Sequence, residues 1–393
     1  MGSWASAGED LTAILHGVRG AERVIACYQC GTCSGSCPTA SAMDYTPRRI
    51  LHMLRLGLVN RVLESRSIWL CTSCYSCTNR CPREIRIGDA MLGLRALAVD
   101  RGVSLPANLL ALRDTVIGYH NISGDDNAAR LIWSDNLQMA SRAFGSKRHA
   151  DVVFFVGCVA SFYPTVYGIP QAMIQVMARA GLDVATLGGE EWCCGYPLFT
   201  AGMPALLESL MAHNLARVQD MGAKTLVTTC PSCHYTWSHV YPQWGASSPG
   251  LEILHASEFL ARLMEQNQIR LGETEQVVTY HDPCDLGRKS GIFDAPRRVI
   301  AGVPGVEFRE MDANREQALC CGGGGDVQIV DEGVTASVAS RRMEQVQRTG
   351  ARVLLSACQQ CKRTLLAAAR RDKLRIRVMD LAELVWQAME QQA

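Results

Sequence analysis

Residues 214–230, NLARVQDMGAKTLVTTC, and residues 341–358, RRMEQVQRTGARVLLSAC, are built alike. Each opens as an amphipathic helix, stops at a glycine (Gly222, Gly350) and continues as a short apolar run that ends on a cysteine. The flanking stretches repeat as well. DVVFFVGC (151–158) and QVVTYHDPC (276–284) are strand-like runs ending on cysteine, while LEILHASEFLARL (251–263) and LRIRVMDLAELVWQA (374–388) read as a strand followed by a helix. Strands alternating with helices predict two similar α/β units, each with a small parallel sheet. The cysteines fall at the C-terminal ends of strands, where open α/β sheets collect their ligands. Such a duplication is expected to pack with pseudo-two-fold symmetry, its two cysteine sets facing each other.

The cysteine spacing makes the duplication quantitative. Cys158, the pair Cys193-Cys194-Gly195 and the motif Cys230-Pro-Ser-Cys233 return as Cys284, Cys320-Cys321-Gly322 and Cys358-Gln-Gln-Cys361, displaced by 126, 127 and 128 residues. These ten leave eight of the 18 cysteines, all near the N-terminus. They form two runs, Cys27-Tyr-Gln-Cys30-Gly-Thr-Cys33-Ser-Gly-Ser-Cys37-Pro38 and Cys71-Thr-Ser-Cys74-Tyr-Ser-Cys77-Thr-Asn-Arg-Cys81-Pro82. Both are C-x2-C-x2-C-x3-C-P, the two-cluster bacterial ferredoxin run, in which the fourth thiolate reaches across to the other cluster. Cys27, Cys30, Cys33 and Cys81 are thus expected to hold one cubane [4Fe–4S] cluster, and Cys71, Cys74, Cys77 and Cys37 the other. Structural zinc would use two C-x2-C knuckles per ion, which a third cysteine and C-P do not fit. Between the runs, Ile50, Leu51, Leu54, Leu58 and Val62 recur at helical spacing behind Pro47, and residues 87–102 read as a second helix stopping at Gly102.

The composition is that of an ordinary globular protein. Of 393 residues, 48% are apolar and 20% charged, with a net charge of +1, which excludes a disordered chain and gives no basic surface for nucleic acid. No apolar run reaches the roughly 18 residues of a membrane span, and the start MGSWASAGEDLTAILHG has no secretory pattern. A cytoplasmic location is expected, where 18 thiols point to metal rather than disulfides. The expected division is a helical ferredoxin-like domain over 1–102, a linker over 103–150 and two α/β repeats over 151–265 and 276–393.

The pattern Cys, CC-G, C-x2-C resembles the cysteine-rich CCG domain found in pairs in the B subunit of heterodisulfide reductase. The run from Cys27 to Cys81 resembles the C subunit of that enzyme, and the fusion of the two resembles its D subunit. The resemblance implies two noncubane [4Fe–4S] clusters, one on Cys158, Cys193, Cys194, Cys230 and Cys233, the other on Cys284, Cys320, Cys321, Cys358 and Cys361. A CC pair would strain the corners of a closed cube, whereas an open cluster with bridging thiolates accommodates it and leaves iron able to take a substrate sulfur. The implied activity is thiol:disulfide oxidoreduction as a subunit of a complex. Electrons would pass from the cubanes to the noncubane pair, which reduces or forms a disulfide. A second reading, carried by other CCG proteins, is a non-catalytic electron-transfer subunit of a lactate, glycolate, glycerol 3-phosphate or acyl-CoA dehydrogenase or of a quinone-linked complex.

The chain has no flavin or nicotinamide motif, so a partner must supply electrons. The expected candidates are a flavin and iron–sulfur A-type subunit, a hydrogenase or formate dehydrogenase module, or a membrane cytochrome b subunit, through which alone membrane contact would arise. Gly322–Gly325 is neither G-x-G-x-x-G nor a Walker loop and reads as close backbone approach to a cluster. His255 and His281 read as hydrogen-bonding neighbours of the cysteines. Arg288 and Lys289 could either attract an anionic substrate or offset cluster charge. Trp192 and Trp133 read as packing around the linker.

Overall fold

In a computed structural model the chain is described over residues 11–137, 142–246 and 248–392. The reading of the extreme N-terminus, residues 1–10, and residues 138–141 of the expected linker lie outside the described residues. The chain gathers into two compact units. One comprises Leu112–Tyr196, Leu206–Ala318 and Ser340–Ala393, the other Met1–Ala111, Pro197–Ala205 and Leu319–Ala339.

The larger unit contains both repeats' sheets. Strands β1 (Val152–Phe155), β2 (Val184–Ala185), β3 (Thr225–Thr228) and β4 (Glu252–His255) form a parallel sheet in the order β2-β1-β3-β4. Strands β5 (Gln276–His281), β6 (Val306–Phe308), β7 (Val353–Ser356) and β8 (Arg377–Asp380) repeat the order as β6-β5-β7-β8. The inner strands β1 and β7 are buried at every position, as their continuous apolar runs require of a sheet covered on both faces. The last strand of each sheet, β4 and β8, leads into a capped helix. His255 accepts from Ser257 N–H and Asp380 from Ala382 N–H, and Glu258 and Glu383, three residues on, complete the capping boxes.

The two copies embrace reciprocally. Helix Gly168–Arg179, which follows β1, packs on the last helix of the second copy, Leu381–Glu390, and Arg179 donates to Met389 O at 3.0 Å. Helix Asp294–Ala301, which follows β5, packs on the last helix of the first copy, Ala256–Glu265. One apolar core therefore runs through both repeats, including Phe154, Met177 and Leu260 with Tyr280, Leu355 and Val385. Such a two-fold swap of equivalent contacts is the pseudo-symmetry that the repeat predicts. The described part of the expected linker is structured: helix Ala107–Tyr119 and a 3₁₀ stretch Asn127–Ser134 precede the first strand, and Trp133 joins the core against Phe144.

The smaller unit is helical. The stretch after Pro47, expected as one helix through Val62, is two, Pro47–Arg55 and Val59–Leu63. Gly57 takes φ 72°, its N–H bonds to Leu54 O and that of Leu58 to Met53 O, a Schellman stop that the apolar spacing conceals. Helix Ile87–Asp100 ends at Gly102 as read, by the same pair of bonds to Val99 O and Ala98 O. Two excursions from the CCG repeats, Pro197–Ala205 and Leu319–Ala339, group with this unit rather than with their own sheets. The cause is local. Arg95, 1% exposed, spends its guanidinium on five carbonyls: Ile68 (2.8 Å) and Trp69 (3.2 Å) just before the second cysteine run, Cys71 (2.7 Å) at its start, Thr200 (2.7 Å) and Gly325 (3.1 Å). Thr200 also donates to Asp326 at 2.6 Å, and Arg66 pairs with Asp331 at 2.9 Å. Among the described residues no helix is long and apolar enough to cross a membrane.

Arg95→Met keeps the side-chain volume but withdraws this donor from five carbonyls. Each buried acceptor left unsatisfied costs about 1–3 kcal/mol, so the variant should lose more than about 3 kcal/mol in anaerobic urea unfolding. Arg61→Met, on the exposed surface, should change stability by under about 0.5 kcal/mol. Equal effects would contradict the role given to Arg95.

Candidate iron–sulfur centres

The eight N-terminal cysteines separate into two cavities. One is lined by Cys27, Cys30, Cys33 and Cys81, the other by Cys37, Cys71, Cys74 and Cys77. The fourth cysteine of each run thus joins the other run's triplet, as the ferredoxin spacing requires. The two loops share one backbone shape. Gln29 (φ 65°) and Gly31 (φ 88°) flank Cys30 in the left-handed region, and Ser73 (φ 51°) and Tyr75 (φ 60°) flank Cys74 in the same way. Side chains at such angles cost on the order of 1–3 kcal/mol each and persist where the surroundings demand them. Tyr75 is further held by its hydroxyl bond to Asp89 at 2.7 Å.

The donor set fits iron–sulfur clusters. No disulfide joins any of the 18 cysteines. Burial pushes Cys33 up to about 11 and Cys37 up to about 12, and raises Cys77 well above the ordinary value, so a thiolate there calls for positive charge beside it, as a cluster iron would supply. Neither cavity is lined by a carboxylate, and soft sulfur ligands in apolar surroundings suit iron–sulfur clusters rather than hard cations.

In the first repeat Cys158 follows β1, Cys193 and Cys194 follow β2, and Cys230 and Cys233 follow β3, and the five thiols hydrogen-bond one to the next. Cys158 meets Cys193, Cys193 meets Cys194, Cys194 meets Cys233, and Cys233 meets Cys230. Hydrogen bonds from Cys193 and Cys233 bring Cys194 down, while Cys158 and Cys233 are pushed up, the pattern of a few thiolates shared among too many sulfurs. Gly157, at φ 81°, leaves room for them, since a Cβ there would stand 3.3 Å from Cys233 Sγ. In the second repeat Cys284 follows β5, Cys358 and Cys361 follow β7, and Cys361 N–H donates to Cys358 Sγ at 3.3 Å. Cys320 and Cys321, both buried, belong to the excursion Leu319–Ala339.

Both CCG glycines do the same work. Gly195 and Gly322, at φ 87° and 91°, donate their N–H to Cys193 Sγ at 3.4 Å and Cys320 Sγ at 3.3 Å. Gly324 and Gly325 approach protein backbone instead: a Cβ on Gly325 would stand 2.5 Å from Cys71 O, and one on Gly324 2.9 Å from Thr72 O.

The other residues singled out in the sequence have found partners. His255 is a helix cap. His281 accepts from Arg342 Nε at 3.1 Å and lies within 4.8 Å of Cys361 Sγ. The Lys289 side chain, 1% exposed, bonds Asp285 at 2.8 Å and Tyr196 at 2.6 Å, and Asp285 also accepts from Ser232 at 2.7 Å. This network ties residues beside Cys194 and Cys233 to one beside Cys284, so Lys289 is a buried strut between repeats. Arg288 donates to Cys284 Sγ at 3.0 Å and Ala318 O at 2.8 Å. Trp192 is stacked between His120 and His213, at 3.6 and 3.7 Å.

Three functional neighbours escaped the sequence reading. Gln359, inside the second C-x2-C, donates to Val156 O at 2.7 Å and Thr229 Oγ1 at 2.8 Å, locking the second repeat onto the strand ends of the first. Arg130, in the expected linker, reaches Cys158 Sγ at 3.2 Å and Glu191 at 2.8 Å; Arg130 and Glu191 are both 1% exposed. Glu191 also accepts from Val156 and Gly157 N–H, each at 2.8 Å. Burial raises the Glu191 carboxyl, and Arg130 with the two N–H groups pulls it back. Glu191 stands two residues before Cys193 and could have been suspected from that; nothing in the spacing marks Arg130.

Comparison with known proteins follows the same division. Residues 23–85 match the 4Fe-4S dicluster domain, and residues 152–237 and 278–366 each match the CCG cysteine-rich domain. The chain is 31% identical over 391 residues to the D subunit of the dihydromethanophenazine:CoB--CoM heterodisulfide reductase of Methanosarcina mazei, spanning 92% of this chain and 93% of that protein. The D subunit of the same reductase in Methanosarcina barkeri is 30% identical, over 93% of each. EtfAB:quinone oxidoreductase of Syntrophomonas wolfei subsp. wolfei is 27% identical over 85% of this chain and 48% of its own length.

Removing one partner of a buried ion pair strands the other. Arg130→Gln and Glu191→Gln should each destabilise the protein by about 3–5 kcal/mol in anaerobic denaturant unfolding, and the double variant by clearly less than their sum. Additive losses would mean that the pair is not coupled.

Proposed function

The chain belongs to the family of the heterodisulfide reductase D subunit and is an iron–sulfur oxidoreductase subunit with cubane and noncubane clusters, and from that premise we propose that it carries the thiol:disulfide active site of a multi-subunit complex. Cys27, Cys30, Cys33 and Cys81 hold one cubane, and Cys37, Cys71, Cys74 and Cys77 the other. The two five-cysteine sets hold the noncubane clusters. Residues 1–102 form the electron-entry domain, 103–150 the connection, and 151–265 and 276–393 the two CCG domains. When bound, the clusters supply one-electron storage and, in the open form, an iron able to take a sulfur. The net reaction consumes two electrons and two protons per disulfide and yields two thiols. The electrons come from a low-potential partner such as an A-type flavin subunit, a hydrogenase or formate dehydrogenase module, or a membrane cytochrome b subunit. In that last arrangement the partner brings the chain to the membrane.

The observation that carries this reading is the completeness of both cysteine sets, each with N–H groups aimed at its sulfurs. The chain's own contribution is to hold those sulfurs fixed. Glycine N–H groups and guanidinium N–H groups donate to them, and Gln359 with the Lys289–Asp285–Tyr196 network keeps the repeats from shifting. A second reading, in which the chain relays electrons without reacting with thiols, is favoured by the match to half of the EtfAB:quinone oxidoreductase.

Two measurements separate the readings. Cys193→Ser and Cys321→Ser should each cut reduction of small disulfides by reduced methyl viologen about 100-fold or more, with the cubane signals intact, because serine is a hard, weak ligand for iron. A thiol added to the oxidised wild type should perturb a C-terminal cluster signal. Full reduction of all clusters by a partner, with no response to any thiol or disulfide, would select the relay.

A further inference from the structure

We propose that Arg130 and Arg288 set the reduction potentials of the two C-terminal clusters, each through a guanidinium hydrogen bond to the first cysteine sulfur of its repeat, and that Glu191 restrains Arg130's effect. The proposal rests on the assignment of Cys158 and Cys284 as cluster ligands. Its ground is a pair of contacts that the repeat itself does not generate. Arg130 Nη2 lies 3.2 Å from Cys158 Sγ and Arg288 Nη2 3.0 Å from Cys284 Sγ. Cys158 and Cys284 are equivalent, 126 residues apart, but their arginines are not. Arg288 lies four residues after its cysteine, within the repeat. Arg130 lies 28 residues before its own, outside the repeat, on the 3₁₀ stretch Asn127–Ser134. The same donor has reached the same sulfur from two unrelated places in the sequence.

A guanidinium on a ligand sulfur acts by charge and by hydrogen bonding. Each added electron makes the cluster and its sulfurs more negative, so a fixed cation and an N–H donor stabilise the reduced form more than the oxidised one. The effect is larger inside a protein, where screening is weak, and Arg130 is 1% exposed. Arg130 is also held rigidly. Besides Glu191 and Cys158, it contacts Asn127 Oδ1 at 3.2 Å and Ser161 Oγ at 3.3 Å, and its guanidinium lies 5.2 Å from the Phe162 ring centroid. Glu191 places a carboxylate against the same guanidinium and cancels most of its charge at a distance. The hydrogen bond at the sulfur remains. Arg288 is anchored from another side, on the carbonyls of Ala318 (2.8 Å) and Glu316 (3.2 Å). Arg130 and Arg288 are positioning residues, acting on the clusters through the sulfurs.

The test is an EPR-monitored redox titration of anaerobically purified, iron-loaded protein, with the two cubanes as internal reference. Arg288→Gln should move one C-terminal component to lower potential, by about tenfold in the reduced-to-oxidised ratio, or about 59 mV for a one-electron couple. Arg288→Lys, which keeps the charge, should move it by less. Glu191→Gln should raise the potential of the other component, and the Arg130→Gln/Glu191→Gln double variant, which leaves no stranded charge, should lower it. The cubane potentials should stay in place throughout. Wild-type potentials in Arg288→Gln and in the double variant, at full iron content, would overturn the proposal while leaving the thiol:disulfide reading intact. Iron at half the full content in the wild type would remove the ligand assignment, and the proposal with it. The half-buried Arg288 keeps the test decisive even if the Arg130 variants do not fold.

Discussion

A thiolate inside a protein needs a positive charge beside it, and this constraint organises the whole chain. Nine of the ten C-terminal cysteines are buried, and burial disfavours the charged thiolate. Iron supplies most of the charge, and the protein supplies the rest as directed N–H groups and guanidinium ions. The left-handed residues around Cys30 and Cys74, the CCG glycines and the two arginines at Cys158 and Cys284 are separate answers to that one demand. The apolar core through both sheets gives those loops a rigid base.

Duplication explains most of the architecture, and its exceptions carry the chemistry. The sheets share one strand order and their helices pack reciprocally, so equivalent cysteines fall at equivalent strand ends. The helix caps already differ, neutral His255 in one copy and Asp380 in the other, with the same bond made to the helix N-terminus. Around the sulfurs the copies diverge further. The first is served by an arginine–glutamate pair from outside its own repeat, the second by an arginine four residues along. Two identical centres would have one potential; unlike neighbours allow two.

The fold was largely written in the sequence, because parallel strands, glycine stops and cysteine offsets are local signals repeated twice. The grouping of cysteines around the two N-terminal cavities was legible for the same reason, as C-x2-C-x2-C-x3-C-P pairs each triplet with the other run's fourth cysteine. What stayed hidden were contacts between residues distant in the chain. The break at Gly57 is invisible to apolar spacing, since Leu58 and Val62 keep the helical period across it. The grouping of Pro197–Ala205 and Leu319–Ala339 with the N-terminal unit depends on Arg95, one of many arginines and marked by no motif. Arg130 lay in a stretch read as linker, and Gly324 and Gly325 proved to meet the backbone of Cys71 and Thr72 where cluster sulfur was expected.

The central claim is that every cysteine is committed to iron, and it is tested most directly by iron and acid-labile sulfide analysis of the anaerobically purified full chain. With four clusters of four irons, the account predicts about 16 irons per chain and a matching sulfide content. About 8 irons, with the ten C-terminal thiols open to alkylation in the folded protein, would contradict it.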